Sequence, residues 1–179
     1  MDEIKKTFYI KNFLSQDEIN ILWQYMQVKH ASNNSNFDDS QTSFGETALY
    51  GSSITDGLLL LKKDIFEKML NKKLLPTYSF WRIYTKYSDL KKHTDRGSCE
   101  ITASITIKSD LEWPIYIDGK KVIIKEGDAA LYFGMELEHW REPYEGDYCA
   151  QIFLHYVQED GQFKDFVYDK RKYLGFKKQ

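Results

Sequence analysis

The stretch PTYSFWRIY, residues 76–84, decides the fold class of this 179-residue chain. Aromatic and β-branched side chains recur there with a period of two, which is typical of a β-strand with a buried face. Similar runs follow, separated by brief turns, so the sequence predicts six or more short strands in an all-β sandwich or barrel. The predicted strands are Phe8–Leu14, Tyr78–Tyr84, Glu100–Ile107, Trp113–Ile117, Lys121–Ile124, Ala129–Phe133 and Ala150–Val157.

Local signals mark the turns and the helix ends. Asp118-Gly119 is expected to close a hairpin, and Gly127-Asp128 to separate the next pair of strands. Ser15 and Glu18 form a predicted capping box at the start of a helix of about three turns. A second helix is expected at Asp56–Leu74, ended by the proline that follows.

The order of these elements predicts one domain over residues 1–179. Residues 1–75 are mostly helical, residues 76–160 form the β core, and residues 161–179 are a basic tail that we expect to be solvated rather than to bind a polyanion. Within the helical part, polar residues 31–48 predict a surface loop, with a mobile lid over a site as the alternative.

Composition excludes several classes of protein. The net charge is −2, from 25 basic and 27 acidic residues, so no global field would recruit nucleic acid or an anionic membrane. No apolar run approaches the roughly 20 residues that cross a bilayer, and the N-terminus does not resemble a signal peptide. Cys99 and Cys149 cannot build a disulfide framework, so we expect two reduced, buried thiols and a cytoplasmic location.

A candidate metal site is suggested by His93-Thr94-Asp95 together with His139. Residues i and i+2 of an extended segment face the same way, so His93 and Asp95 can meet at one point. Two imidazoles and one carboxylate on one face of a metal leave three positions open, as in non-haem Fe(II) oxygenases. The residues alone also allow a structural or ion-pairing role, or a zinc site.

Further motifs, spaced in order along the chain, resemble those of the Fe(II)/2-oxoglutarate-dependent oxygenases, most closely the prolyl-4-hydroxylase-like branch. The resemblance covers about Leu75–Val157, and NFLS at residues 12–15 before a helix is also similar to the opening of that branch. It implies a mainly β protein with N-terminal helices, of the α+β class. Its core would be a double-stranded β-helix, or jelly-roll, with the helices packed on one sheet. The motifs are LPTYSFWRIY (75–84), LKKHTDR (90–96), CEITASIT (99–106), WPIY (113–116), GDA (127–129), FGMELEHWR (133–141) and QIFLHY (151–156).

The same resemblance implies a chemistry. His93, Asp95 and His139 would be the Fe(II) ligands and the catalytic centre, with 2-oxoglutarate and dioxygen as cosubstrates and ascorbate as an accessory reductant. Such enzymes release succinate and CO₂ while they hydroxylate a C–H bond. The carboxylate of Asp95 favours hydroxylation over halogenation. The implied partner is a peptide or protein substrate, prolyl residues included, or a small molecule.

The cosubstrate anchor departs from the family pattern. Tyr84 stands nine residues before the first ligand, which matches a family position that helps to hold the distal carboxylate of 2-oxoglutarate. The usual cation, nine to eleven residues after the second histidine, is missing, because residues 148–150 are Tyr, Cys and Ala. A buried carboxylate needs a charge-assisted partner. Arg141 is the first substitute, with an amide hydrogen bond from Gln151, and Lys108 is a third option.

Other residues admit competing interpretations. His155, in an apolar strand, is expected to be a satisfied core histidine rather than a site residue. Arg96 either pairs with Glu100 or receives an anionic substrate. Two alternative functions remain: a non-catalytic jelly-roll binding module with a degenerate metal site, and a zinc-dependent hydrolase. The hydrolase lacks a general base, since Glu138 is expected to point to the opposite face of its strand.

Overall fold

The structure, a computed structural model, describes residues 6–32 and 47–175. These ranges contain ten strands, two α-helices and two short 3₁₀ turns. The strands are β1 (Thr7–Ile10), β2 (Thr47–Tyr50), β3 (Leu74–Thr85), β4 (Leu90–His93), β5 (Ile101–Ser109), β6 (Ile115–Ile117), β7 (Lys120–Val122), β8 (Ala129–Tyr132), β9 (His139–Arg141) and β10 (Tyr148–Gln158). The helices are α1 (Gln16–Ala31) and α2 (Ser53–Leu70), and the 3₁₀ turns are Gly97–Cys99 and Lys164–Phe166.

The strands form two antiparallel sheets. The larger has the order β1-β8-β5-β10-β3-β2, and the smaller has the order β4-β9-β6-β7. Ala130 and Tyr132 of β8 pack against Ile115 and Ile117 of β6, so the two sheets face each other across a shared interior. The predicted jelly-roll is therefore confirmed.

Both helices pack on the outer face of the larger sheet. Met26 of α1 and Leu59 and Phe66 of α2 share one buried cluster with Ile105 of β5 and Ile152 of β10. Burial of such a side chain contributes about 1.5–3 kcal/mol relative to exposure. This cluster covers the outer face of the larger sheet, so the inner face, which is turned toward the smaller sheet, can carry polar residues.

Local signals predicted one helix better than the other. The capping box is confirmed: the Glu18 N–H donates to Ser15 Oγ at 3.2 Å, and the Ser15 N–H donates to Glu18 Oε2 at 2.8 Å. The predicted bounds of the second helix are wrong, because α2 ends at a left-handed Asn71 (φ 50°). Pro76 does not end α2 but lies within β3. A proline is tolerated there because β2 does not pair with this part of β3 and the pairing with β10 has a bulge nearby.

The expected hairpin is present. Asp118 and Gly119 have φ of 50° and 72° and connect β6 to β7, as a type I′ turn requires. Three strands escaped prediction, namely β2, β4 and β9, which have only four, four and three residues. Runs this short carry too few alternations to be distinguished from loops unless a turn signal stands beside them, as it does at β6, β7 and β8.

Residues 161–175 of the basic tail are mostly exposed or half-buried, as expected of a solvated segment, but two side chains anchor them to the rest of the chain. Asp169 is only 5% exposed and accepts a 2.6 Å hydrogen bond from Tyr50 Oη. Arg171 pairs with Asp56 and donates to the Thr77 carbonyl at 2.9 Å. These contacts hold the tail in place. The sequence did not reveal them because the partners lie in distant parts of the chain.

Two predictions fall partly outside the described residues. Residues 33–46, most of the predicted polar loop, are not described, and neither are residues 176–179 at the end of the basic tail. Neither α1 nor α2 is long and apolar enough to cross a membrane, and this finding concerns the described ranges alone.

Candidate metal centre

Three side chains converge between the sheets. His93 ends β4 and pairs directly with His139, which begins β9. Asp95 Oδ1 lies 3.6 Å from His93 Nε2 and 3.5 Å from His139 Nε2, and the three ligand atoms are all within 4.8 Å of one another. Ligands bound to one cation at about 2.1 Å are roughly 3.0 Å apart at a right angle and 3.4 Å at a tetrahedral angle. The predicted residues are therefore spaced to share a metal ion.

Backbone carbonyls orient both imidazoles. His93 Nδ1 lies 2.8 Å from the Lys91 carbonyl oxygen, and His139 Nδ1 lies 2.9 Å from that of Leu137. A carbonyl only accepts, so each Nδ1 carries a proton, and each Nε2, which faces Asp95, is the ring atom available to a metal. Metal-binding histidines are usually fixed in this way by an outer partner.

Asp95 is ionised and tightly enclosed. Burial alone would raise its pKa, but hydrogen bonds with the rings of His139 and His93 hold the pKa well below its usual value. Its Oδ2 accepts a 2.8 Å hydrogen bond from Thr102 Oγ1, and its backbone N–H donates to the Gly134 carbonyl at 2.9 Å. The site therefore offers one negative charge to a cation.

Gly134 leaves space for this carboxylate. A Cβ added there would lie 2.9 Å from both Asp95 Cγ and the Cys99 carbonyl oxygen, and still closer to Asp95 Oδ2. Real Cβ atoms essentially never approach other atoms that closely. Our sequence reasoning missed this role of Gly134, although the residue lies within the FGMELEHWR motif.

The triad opens into a cavity of about 460 Å³. Its walls include six aromatic rings, those of Tyr50, Tyr78, Phe80, Tyr84, Tyr132 and Phe153. Arg82 also lines it, with its guanidinium carbon 5.4 Å from the Phe80 ring centre and 5.5 Å from that of Tyr84. Sequence reasoning missed Arg82, but the period-two pattern that places Phe80 and Tyr84 on one face of β3 also includes it.

The three residues proposed for cosubstrate binding lie close together, but only Tyr84 lines the cavity, whereas Arg141 and Gln151 do not. Arg141 is 2% exposed, donates to the Trp113 carbonyl, and donates from Nη2 to Gln151 Oε1 at 3.1 Å. Tyr84 packs edge-on against the Trp113 ring, with centroids 4.8 Å apart, and the Arg141 guanidinium lies 4.6 Å from the same ring. Among residues 6–32 and 47–175, no acidic side chain pairs with Arg141.

Two other basic residues have partners that the sequence did not predict. Lys108 points outward, where it pairs with Glu126 at 2.7 Å, and it does not line the cavity. Arg96 does not pair with Glu100 but with both carboxylate oxygens of Asp169, at 3.0 and 2.6 Å. Because it also lines the cavity, the alternative that it receives an anionic substrate stays a prediction. Charge patterns near the motif did not reveal these partners, because both pairs join residues distant in sequence.

His155 is both buried and part of the site. As expected of a satisfied core histidine, its Nδ1 lies 3.0 Å from Thr102 Oγ1, but it also lines the cavity beside the Tyr78 ring. Burial lowers its pKa to about 4, which keeps the ring neutral at pH 7.

The cysteines and Glu138 contribute no nucleophile or base. Cys99 and Cys149 are buried free thiols, as predicted, and burial raises the pKa of Cys99 to about 12. Glu138 points away from the metal site and pairs with Lys92 at 2.8 Å on the surface. The zinc-hydrolase alternative therefore gains no general base from Glu138.

Comparisons with known proteins agree with this architecture. No protein-family model and no curated protein matches the sequence. Solved structures do match in fold. A prolyl-4-hydroxylase from Pseudomonas putida has a TM-score of 0.67 at 12% identity, over 86% of this chain and 92% of that one. Viral collagen prolyl hydroxylase from Paramecium bursaria Chlorella virus-1, in a complex with 2-oxoglutarate, has a TM-score of 0.66 at 14% identity, over 86% and 96%.

A third match carries a metal as well as the keto acid. HygX from Streptomyces hygroscopicus, with nickel and 2-oxoglutarate bound, has a TM-score of 0.64 at 12% identity, over 84% of this chain and 82% of that one. At such identities the matches speak for the fold alone. This chain therefore has the jelly-roll fold of prolyl-4-hydroxylases and other 2-oxoglutarate- and Fe(II)-dependent oxygenases, as its motifs predicted.

Proposed function

We propose that this protein is an Fe(II)- and 2-oxoglutarate-dependent dioxygenase that hydroxylates a C–H bond. One observation carries the proposal: His93, Asp95 and His139 present three ligand atoms to one point that opens into a cavity. Structural zinc sites are closed by four protein ligands, whereas this donor set leaves positions for a bidentate cosubstrate and dioxygen. The ligand carboxylate of Asp95 favours hydroxylation over halogenation.

The overall reaction balances. Dioxygen delivers one oxygen atom to the substrate C–H bond and the other to the new carboxylate of succinate, as 2-oxoglutarate loses CO₂. The bound metal and keto acid supply this oxidative chemistry. The residues of the chain orient the ligands, exclude bulk water, and hold the cosubstrate in place.

Arg141 is our proposed partner for the distal carboxylate of 2-oxoglutarate, with Tyr84 and Gln151 beside it. A buried guanidinium without an acidic partner is costly, and a bound carboxylate would relieve that cost. Supporting contacts are the 3.1 Å hydrogen bond from Arg141 to Gln151 and the position of Tyr84 in the cavity wall.

We propose a prolyl or other residue of a peptide or protein as the substrate. The motif resemblance to the prolyl-4-hydroxylase-like branch supports this choice, as do the two prolyl hydroxylases that share the fold. A small molecule is the second candidate, because HygX shares the fold and has been solved with hygromycin B bound.

Anaerobic titration tests the function. Purified protein receives Fe(II) and then 2-oxoglutarate, and we expect a weak visible charge-transfer band that is missing in His93→Ala. In Arg141→Met the band should require more 2-oxoglutarate while metal affinity is unchanged, and Lys108→Met, which alters an outward-facing lysine, serves as the matched control.

Two results would contradict the proposal. The first is a wild-type protein that shows no band and forms no succinate in air. The second is an Asp95→Ala variant that keeps full ligand binding in a protein with no bound transition metal, which would instead support the non-catalytic binding module.

A further inference from the structure

Asp95 belongs to two clusters of possible metal ligands. One contains His93 and His139, and the other contains Cys99 and His155, with ligand atoms again within 4.8 Å of one another. In the second cluster, Cys99 Sγ lies 3.0 Å from Tyr78 Oη and His155 Nδ1 lies 3.0 Å from Thr102 Oγ1. Thr102 Oγ1 also lies 2.8 Å from Asp95 Oδ2 and so connects His155 to this carboxylate, which makes the second cluster a layer that supports the first.

The direction of each hydrogen bond follows from the number of protons available. Thr102 Oγ1 carries one proton and lies 2.8 Å from Asp95 Oδ2, 3.0 Å from His155 Nδ1 and 3.4 Å from the Cys99 carbonyl oxygen. An ionised carboxylate accepts only, so the shortest of these contacts takes the hydroxyl proton. Thr102 must then accept from His155, which fixes the proton of His155 on Nδ1.

This chain of donors separates the two oxygens of Asp95. Oδ2 is held by Thr102, whereas Oδ1 faces Nε2 of both His93 and His139. If both oxygens bound the metal, the protein would occupy four of six octahedral positions, too many for a bidentate keto acid and dioxygen together. We infer that Thr102 and His155 are positioning residues that keep Asp95 a one-oxygen ligand.

The inference rests on the proposed function, but its test uses Co(II) as a spectroscopic probe and needs no turnover. Thr102→Val keeps the shape and removes the hydroxyl, and Thr102→Ser restores it. Ser104→Ala is the matched control, since Ser104 lies two residues along the same face of β5 and contacts Tyr132 Oη at 3.1 Å instead of Asp95.

Loss of an outer partner typically weakens metal affinity about 10–100-fold. We expect a loss of that size in Thr102→Val, together with an altered visible Co(II) spectrum, and a smaller loss in the same direction in His155→Phe. Thr102→Ser and Ser104→Ala should keep the wild-type spectrum and affinity. Far-ultraviolet circular dichroism and thermal melts identify any variant that fails to fold, and the Thr102→Ser spectrum then carries the test.

The outcomes are distinguishable. Wild-type affinity and spectrum in a folded Thr102→Val variant would overturn this inference alone, and so would an altered spectrum in Thr102→Ser. Binding of two Co(II) ions per chain would also overturn it, because the second cluster would then be a metal site. A wild-type chain that binds neither Co(II) nor Fe(II) would overturn the proposed function and this inference with it.

Discussion

Replacement of Gly134 by alanine should disable the metal centre through one methyl group. The new Cβ would lie 2.9 Å from Asp95 Cγ on one side and 2.9 Å from the Cys99 carbonyl oxygen on the other. The Cys99 oxygen belongs to the backbone of a 3₁₀ turn, so it cannot yield by a rotamer change. The carboxylate of Asp95 must therefore move.

The size of the effect follows from these distances. An ordinary van der Waals contact begins at 3.4 Å, so Asp95 Cγ and the Cys99 oxygen are each about 0.5 Å too close, and Asp95 Oδ2 is closer still. Functional groups must usually be held within about 0.5 Å of the productive geometry, and overpacking typically costs about 1–3 kcal/mol. We expect Gly134→Ala to lower the free energy of unfolding by that amount and to weaken Co(II) affinity at least about tenfold.

Urea unfolding and Co(II) titration measure the two effects separately. Gly57→Ala is the matched control, because a Cβ at this exposed position of α2 meets nothing within 4 Å. Alanine there should stabilise the helix by up to about 1 kcal/mol and leave metal affinity unchanged. If Gly134→Ala kept both the wild-type urea midpoint and wild-type Co(II) affinity, the steric reasoning would be refuted.

Three further predictions concern acid, metal and the C-terminal segment. Burial alone would raise the pKa of Glu67, but hydrogen bonds from Lys63, a backbone N–H and a second lysine lower it to about 2. Its stabilisation should be complete above pH 4.5 and disappear as the pH falls toward 2, a dependence that urea unfolding should not show in Glu67→Gln. Chelation with EDTA should lower the melting temperature of the metal-loaded wild type but not that of His139→Ala, since only a bound metal stabilises by mass action. Asp169→Asn should weaken the half-exposed ion pair with Arg96 and lower the free energy of unfolding by about 1 kcal/mol. Limited proteolysis should then cut residues 161–175 faster than in the wild type.

Local sequence signals correctly predicted the helix start and the turn, which depend only on neighbouring residues. Ser15 and Glu18 cap α1 across three residues, and Asp118-Gly119 sets its turn by its own φ angles. The same locality explains what these signals missed. The end of α2 depends on a left-handed Asn71 that no periodicity reveals, and the tail is held by Asp169, whose partner Arg96 lies 73 residues away.

The candidate site divides in the same way. The His-x-Asp spacing and the ordered motifs identified the three candidate ligands and the fold. They did not identify Thr102, Gly134 or the role of His155, because these residues meet Asp95 or Thr102 only after β5, β8 and β10 lie side by side in the larger sheet.

The sequence by itself therefore determined the strand-rich architecture, the helix start, the hairpin turn and the identity of the candidate ligands. Only the tertiary structure decided which oxygen of Asp95 faces the imidazoles, that Arg141 is buried beside Gln151 rather than exposed, and that Arg96 is neutralised by Asp169. The physical reason is the distance along the chain over which each kind of interaction acts. Backbone geometry and capping act over a few residues, whereas burial, charge pairing and steric exclusion depend on atoms that sheet pairing brings together from distant parts of the chain.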